Sequence, residues 1–213
     1  MNLDYLFSHK ALVWELTIEH FQLALTALLI AIPIALVAGI IAVRFRPTTL
    51  PIVTFASFLY TIPSLALLAF LIPTQGIGRR PAIIMLVIYA QMFLVQNIVT
   101  GLRGVDASAL EAARGLGMRP LQLFFRVWLP LALPVMIAGV RSALVALIGL
   151  AAIAGWIAAG GLGELMFTGI GSNNPSKVLA GVVAVTLLAI CCDIALRGVE
   201  MLTPAARAAR AAR

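Results

Sequence analysis

Long stretches without a charged side chain are the feature that most limits how this chain can fold. Residues 21–43, 50–72 and 82–102 each contain more than 20 residues and no Asp, Glu, Lys or Arg. An α-helix needs about 20 apolar residues to cross the hydrocarbon core of a bilayer. Only 11% of all residues are charged and the mean hydropathy is +1.09, so a soluble domain of this size would lack polar surface. The chain is therefore predicted to be an integral membrane protein.

The apolar runs predict an all-α membrane fold with a single domain over residues 1–213 and about five transmembrane helices. This division leaves no room for a separate catalytic domain. Residues 1–20 carry Leu12 and Leu16 at helical spacing, and we expect them to form an amphipathic segment at the membrane surface. The predicted spans have the approximate bounds 21–43, 50–72, 82–102, 130–153 and 178–196.

The basic residues predict which helix ends face the cytoplasm. With five spans and the amino terminus outside, ten basic residues fall in cytoplasmic pieces and four in outer pieces, in line with the excess of Lys and Arg in cytoplasmic loops. The net charge of +7 is then explained by orientation, without nucleic acid as a partner. The cytoplasmic set is Arg44, Arg46, Arg103, Arg114, Arg119, Arg126, Arg197, Arg207, Arg210 and Arg213, and the outer set is Lys10, Arg79, Arg80 and Lys177.

A sixth span over residues 151–172 would place the basic carboxyl-terminal tail outside, which the charge count disfavours. We therefore expect the Gly-rich segment 155–171 to be a broken helix that is buried or lines a cavity, because irregular backbone cannot face lipid.

A polar segment at residues 103–126 separates the third and fourth predicted spans. Asp106, or Ser108 beside it, is suited to cap a short helix. Gly115 and Gly117 are expected to end that helix, because Gly tolerates the left-handed turn found there. Pro120 permits a second short helix. The segment is thus predicted to be a compact helix–turn–helix, with a simple amphipathic connector as the alternative.

The same segment resembles the cytoplasmic signature of the permease subunits of ATP-binding-cassette importers. That signature reads Glu-Ala-Ala, three residues, Gly, nine residues, an aliphatic residue, one residue and Leu-Pro. The matching positions are Glu111, Ala112, Ala113, Gly117, Val127, Leu129 and Pro130, with Val127 where Ile is usual.

The resemblance implies a type I importer permease in a bacterial cytoplasmic membrane. In that family two ATPase subunits dock on this segment, which makes residues 103–126 the predicted coupling loop. The predicted coupling residues are Asp106, Glu111, Ala112, Ala113, Gly117, Leu129 and Pro130. The further partners implied are a second copy or a sister permease, and an extracytoplasmic substrate-binding protein.

A nucleotide site of the chain's own is not expected. A P-loop requires Gly-Lys-Ser/Thr, and the two lysines, Lys10 and Lys177, do not follow a glycine. The energy source is therefore predicted to be a separate polypeptide, and neither enzyme activity nor a cofactor is expected. Cys191 and Cys192 are adjacent and point about 100° apart on a helix, so neither a disulfide nor a metal site is expected.

Two further segments resemble the osmoprotectant branch of these permeases, whose importers carry glycine betaine, choline or carnitine. They are residues 61–68 and 100–106. In addition, Gly160-Gly161-Leu162-Gly163 resembles a glycine turn that follows the fourth span in related permeases, and close packing of small residues is a compatible interpretation. The alternatives left open are a permease of a methionine-type amino-acid importer, an ion-coupled carrier and a passive channel.

Candidate pathway residues interrupt the apolar runs. In the middle of the second span, Pro63 frees a backbone carbonyl while Thr61 and Ser64 add hydroxyls. Broken helices of this kind are candidate linings of a transport pathway, and a tolerated kink is the alternative. The full set of pathway and gate candidates is Thr61, Pro63, Ser64, Arg141, Gly160, Gly161 and Gly163.

Arg141 lies inside the fourth span, where a charge costs on the order of 3 kcal/mol. It must therefore face the bundle, a wet cavity or a partner, and we expect a structural pairing or a role near the inner gate. Asp193 is predicted to pair with Arg197, four residues later on the same helix.

Aromatic residues make up 8% of the chain and are scattered along it. A cage for a quaternary ammonium ion needs several aromatic rings on one cavity. Ligand recognition is therefore assigned to the separate binding protein, and no binding domain is expected to be fused after the fifth span.

Overall fold

The computed structural model describes residues 4–201, and within them the chain is almost entirely helical without a strand, which confirms the all-α prediction for this part. Residues 1–3 and 202–213 lie outside the described residues, and with them three arginines used to predict orientation. The helices are α1 (Asp4–Ser8), α2 (Lys10–Arg44), α3 (Arg46–Thr61), α4 (Ser64–Gln75), α5 (Arg79–Arg103), α6 (Ala107–Gly115), α7 (Pro120–Leu123), a π-helical turn (Phe124–Trp128), α8 (Leu129–Ala154), a 3₁₀ turn (Gly155–Ile157), α9 (Gly161–Gly171) and α10 (Pro175–Met201).

Four helical stretches between residues 4 and 201 are long and apolar enough to cross a membrane, and α3 with α4 makes a fifth if the bent pair is one span. The four are Lys10–Arg44, Arg79–Arg103, Pro120–Ile157 and Pro175–Met201. α5 lies at the centre of the bundle, in contact with α2, α3, α4 and α8.

The first apolar run is part of one helix of 35 residues, α2, about 52 Å long at 1.5 Å per residue. The expected segment over residues 1–20 is not a separate element, because α2 already begins at Lys10 and continues through the first apolar run. No Gly or Pro occurs between Lys10 and Phe21 to end a helix there. The polar residues Glu19 and His20 consequently belong to the same helix as the first apolar run.

Small residues let α2 lie close to its neighbours. Ala24, Ala27, Ala31 and Ala35 follow one face of the helix, and all four are completely buried. Further along, Gly39 packs so closely on Ile98 of α5 that an added Cβ would overlap that side chain. Helices in lipid associate largely by this kind of close van der Waals packing, because hydrocarbon gives no hydrophobic driving force.

The second predicted span, residues 50–72, is broken. α3 and α4 meet at an angle of 91°, and the two residues between them, Ile62 and Pro63, are extended with ψ angles of 127° and 129°. Proline cannot donate to a helical hydrogen bond, and it disfavours helical backbone in the residue before it. The break predicted from Pro63 is thus present, but it turns the chain sharply instead of kinking a straight span.

The fourth apolar run is longer than residues 130–153. The second short helix predicted after Pro120 is continuous with α8 through the π-helical turn at Phe124–Trp128. In this turn the Leu129 N–H donates to the Phe124 carbonyl, five residues back. The wide turn lies directly before Pro130, which has no N–H to continue an α-helical ladder.

Candidate functional site

The polar segment between α5 and α8 folds as a short capped helix. Asp106 is the N-cap of α6, and its Oδ1 accepts a hydrogen bond of 2.9 Å from the Ser108 N–H. That hydrogen bond lowers the pKa of the Asp106 carboxyl below its ordinary value. The carboxylate is therefore charged at neutral pH and lies at the positive end of the helix dipole.

Gly117 follows α6 in the left-handed conformation expected from the sequence, whereas Gly115 is the last residue of the helix itself. The φ of Gly117 is +76°, its N–H donates to the Arg114 carbonyl at 2.9 Å, and the Met118 N–H donates to the Ala113 carbonyl at 3.3 Å. This pair of hydrogen bonds is the Schellman motif, which satisfies carbonyls at a helix end. An added Cβ at Gly117 would meet nothing within 4 Å, so the backbone angle alone accounts for the glycine.

The predicted coupling residues divide into an outer and an inner group. Glu111 and Ala112 are exposed on α6, whereas Ala113 is 4% exposed and packs with Leu110 and Leu123. The exposed Glu111 and Ala112 are therefore available for contact, and Ala113 fixes α6 on the rest of the chain.

Leu129 and Pro130 are half-buried where α8 begins, at the base of the loop. Nearby, the Trp128 Nε1–H donates to the Leu102 carbonyl at 2.7 Å. This bond joins the loop to the end of α5. The base of the loop is thus held to α5 by a side-chain hydrogen bond and continues directly into α8.

Two exposed leucines beside the turn were missed in the sequence. Leu116 is 79% exposed and Leu121 is 72% exposed. They flank Gly117 on the same loop, and neither belongs to the signature. A large apolar side chain in a polar loop is the signal that would have identified them, because such residues commonly mark a contact surface.

Three of the predicted pathway residues lie at the break between α3 and α4. Thr61 and Pro63 are exposed and Ser64 is half-buried. The Thr61 hydroxyl donates to the Phe58 carbonyl at 2.7 Å. The carbonyl of Ile62 lies between the two helices and accepts a hydrogen bond of 2.6 Å from the Tyr89 hydroxyl of α5. The bend is therefore fixed by α5.

A stripe of polar and aromatic residues on α5 is a further feature that sequence reasoning missed. Its members recur every three or four residues, which places them on one helix face. The α5 stripe consists of Tyr89, Phe93, Gln96, Thr100 and Arg103. This spacing within the third apolar run is the signal that could have revealed it.

The α5 stripe faces α3. Gln96 Nε2 donates to the Ser57 hydroxyl at 3.0 Å, and Arg103 Nη2 donates to the Thr49 hydroxyl at 2.6 Å. The part of this contact that is farther from the α3–α4 bend is a groove lined by residues of both helices, among them Gln96 and Arg103. The groove also contains Arg46, so that two of its lining side chains are charged and would be costly to expose to lipid.

The glycine turn before α9 is a place of close backbone contact. Gly161 has φ +72°, and its N–H donates to Glu19 Oε2 of α2 at 3.0 Å. A Cβ on Gly163 would overlap the backbone of Ala152, and one on Gly155 would overlap Gly163. Gly161 and Gly163 are buried. These contacts agree with the interpretation that the glycines allow close packing of neighbouring segments.

His20 lies beside Glu19 on α2, in contact with the same turn. Its Nε2 is 2.8 Å from the Ile148 carbonyl, and its side chain is completely buried. Its Nδ1 has no hydrogen-bond partner within residues 4–201. Together, Glu19 and His20 connect α2 to both α8 and α9.

Arg141 has two carboxylate neighbours on α10. Its Nε is 3.4 Å from Asp193 and its Nη1 is 3.7 Å from Glu200. Within residues 4–201 Asp193 therefore pairs with Arg141 of the neighbouring helix, and the predicted pairing with Arg197 is wrong. The charge inside the fourth span is compensated by protein.

The pathway candidates are not gathered at one point. Thr61, Pro63 and Ser64 lie at the α3–α4 bend, Arg141 lies between α8 and α10, and the glycines lie between α9 and its neighbours. Cys191 and Cys192 are free thiols. Among the residues that the structure describes, no three His, Cys, Asp or Glu side chains form a group able to hold a metal.

Known transport proteins resemble this chain in both sequence and fold. The sequence profile of a family described as "Binding-protein-dependent transport system inner membrane component" matches residues 31–201. The chain is 40% identical over 190 residues to the choline transport system permease protein OpuBB of Bacillus subtilis (strain 168), covering 89% of this chain and 88% of that protein. It is also 40% identical over 191 residues to the carnitine transport permease protein OpuCB of Listeria monocytogenes, with 89% and 88% covered.

Among solved structures, a chain of the inward-facing MetNI methionine ABC transporter superposes with a TM-score of 0.74. The sequence identity is 24%, and the match covers 89% of this chain and 97% of that one. At this identity the likeness concerns the fold.

Proposed function

We propose that this chain forms the membrane pathway of an ATP-driven importer for a compatible solute, since it belongs to the family of binding-protein-dependent transport system inner membrane components. The solute is of the glycine betaine, choline or carnitine type. Two relatives at 40% identity are named for choline and carnitine transport, and both solutes carry a trimethylammonium group.

The observation that carries the proposal is the rigid loop between α5 and α8. It presents Glu111, Leu116 and Leu121 outward, and its base is joined to the end of α5 by the Trp128 hydrogen bond. A capped helix with exposed apolar residues fits a groove on another protein better than it fits water. Two ATPase subunits therefore dock here, on the loops of two permease chains.

The other subunits of the importer are proposed from the family description, which names binding-protein-dependent transport. A second copy or a sister permease completes the pathway, and a separate extracytoplasmic protein delivers the solute. The amino terminus lies outside and the loop lies in the cytoplasm of a bacterial inner membrane, because the loop contains Arg114, Arg119 and Arg126. The chain contributes no ATPase site, since neither lysine follows a glycine.

A methionine-type amino-acid importer is the second candidate, favoured by the superposition on a methionine transporter. The 40% identity to choline and carnitine permeases exceeds the 24% identity to that chain, which is why the compatible solute is preferred. An ion-coupled carrier would need titratable residues that exchange protons inside the membrane. Arg141 and Asp193 are paired with each other, and Glu19 and His20 contact the Gly161 N–H and the Ile148 carbonyl.

Co-purification and uptake test the proposal together. Wild-type permease should bring down an ATPase and, with a loaded binding protein in proteoliposomes, take up radiolabelled choline when ATP is present. Glu111→Lys should lose both properties. Glu15→Lys is the matched control, since Glu15 is equally exposed but lies on α2. Uptake that continues without nucleotide would overturn the importer assignment, and uptake of methionine instead of choline would select the second candidate.

A further inference from the structure

Three aromatic rings from two helices meet at the bend between α3 and α4. The rings of Tyr60 and Tyr89 are 5.6 Å apart at 67°, and those of Tyr60 and Phe93 are 5.3 Å apart at 88°. The packing of α3 on α5 therefore brings together three aromatic residues that are separated in the sequence. We call these three residues the aromatic corner.

The three aromatic residues differ in how much of their surface is exposed. Tyr89 is 2% exposed, and its hydroxyl is held by the Ile62 carbonyl. Tyr60 and Phe93 are half-buried, so part of each ring surface is free. Tyr89 thus fixes the corner, while Tyr60 and Phe93 supply surfaces at right angles to each other.

The aromatic corner lies one helical turn from the contact between Gln96 of α5 and Ser57 of α3. Phe93 precedes Gln96 by three residues on the α5 stripe, and Tyr60 follows Ser57 by three residues on α3. Gln96 and Ser57 are hydrogen-bonded to each other. The rings therefore lie beside hydroxyl and amide groups, whereas the two arginines that line the groove, Arg46 and Arg103, are 14 residues from Tyr60 and 10 residues from Phe93 along their helices.

The chemistry of the corner suits a quaternary ammonium ion. Residues 45–105 contain no Asp or Glu, so this part of the chain offers no carboxylate to hold a cation. A quaternary ammonium group has no N–H, so the oxygen atoms of the groove cannot accept a hydrogen bond from it. Aromatic ring faces attract such a cation by their quadrupole, and the attraction is moderate. Moderate affinity suits a pathway, where a solute must also leave.

We infer that Tyr60 and Phe93 form a weak binding site for the quaternary ammonium group of the transported solute at the broken helix. The inference rests on the proposed function. It adds that the permease itself contacts the cationic group, through cation–π interactions, instead of leaving all recognition to the binding protein.

Binding to the permease alone is measured first. Permease with its ATPase subunits in nanodiscs, without binding protein, is titrated with choline while saturation-transfer NMR follows the trimethylammonium protons. Transfer to those protons should be strong in the wild type. It should be weak for the neutral analogue of choline in which a tert-butyl group replaces the trimethylammonium group, because shape alone gives no cation–π attraction.

Ring removal gives the decisive comparison. Phe93→Leu should raise the choline dissociation constant about tenfold, and Phe93→Tyr and Tyr60→Phe should leave it within about twofold, because both keep a ring. Phe70→Leu is the control, since Phe70 is 78% exposed on α4 and outside the corner. If Phe93→Leu lowers the thermal unfolding midpoint, Tyr60→Leu at an unchanged midpoint takes its place.

Two results would overturn the inference: equal transfer to choline and its neutral analogue, or unchanged choline affinity in both leucine variants. Failure of the proposed function gives a different pattern. A complete wild-type importer with saturating loaded binding protein would then take up no choline, whatever the NMR titration shows. Normal uptake combined with unchanged binding in the leucine variants rejects the aromatic site and leaves the importer assignment standing.

Discussion

Two glycines in the α5–α8 loop are predicted to respond in opposite ways to the same substitution, Gly→Ala. Gly117 has φ +76°, whereas Gly115 is the last residue of α6. A Cβ at either position meets nothing within 4 Å, so crowding plays no part. Left-handed backbone costs a residue with a Cβ about 1–2 kcal/mol, while Ala is better than Gly inside a helix by about 0.5–1 kcal/mol.

These free energies predict measurable changes in amide hydrogen exchange at the end of α6. In Gly117→Ala the amide of Met118, which donates to the Ala113 carbonyl, should exchange with solvent about 5- to 30-fold faster. In Gly115→Ala the same amide should exchange about 2- to 5-fold more slowly. Hydrogen exchange of the permease in nanodiscs, read by mass spectrometry on the loop peptide, measures both.

The reasoning is refuted if the two variants shift exchange in the same direction, or if Gly117→Ala leaves it unchanged. Docking is then measured on the same samples. Gly117→Trp should insert into the membrane normally, since the site is open, but should bind no ATPase. Normal uptake by that variant would show that the loop is not the docking element.

Three other perturbations test the rest of the structure. Gly163→Ala should lower the thermal unfolding midpoint strongly, because its Cβ would overlap backbone, while Gly149→Ala, with nothing within 4 Å, should not. The folded-state pKa of Asp106 is lowered, so its carboxylate stabilises α6 at and above the ordinary pKa of about 3.9. The protection of the loop amides against hydrogen exchange should therefore be constant from neutral pH down to that value and fall only below it. Arg141→Met should destabilise the protein, and adding Asp193→Asn should restore part of the loss; equal midpoints for the single and double variants would contradict the pairing.

Features encoded by neighbouring residues could be predicted from the sequence. The cap at Asp106, left open between two residues, and the left-handed turn at Gly117 depend on contacts within a few positions. The break at Pro63 follows from the missing N–H of proline itself. The family resemblance was carried by the same local pattern, and the matching family profile confirms it.

Features that depend on distant partners could not be predicted in this way. Asp193 has a basic residue one turn away, yet it pairs with Arg141 across a helix contact, because helix packing brings a better-placed partner. The aromatic corner joins residues about 30 positions apart, and the packing of α3 on α5 brings them together. Local periodicity contains no information about that packing, so the third run was taken as a plain span although its stripe was present.

The link between the first long helix and the glycine turn has a consequence for biogenesis. Glu19 and His20 leave the ribosome early, but their partners, Gly161 and the Ile148 carbonyl, are 142 and 128 residues further along the chain. Until those residues are synthesised, the nascent first helix holds a carboxylate and an imidazole without these partners in or near the bilayer. The growing chain should therefore rely on the insertion machinery up to its final third, and truncations ending before residue 148 should be degraded by membrane quality-control proteases faster than those ending after α9.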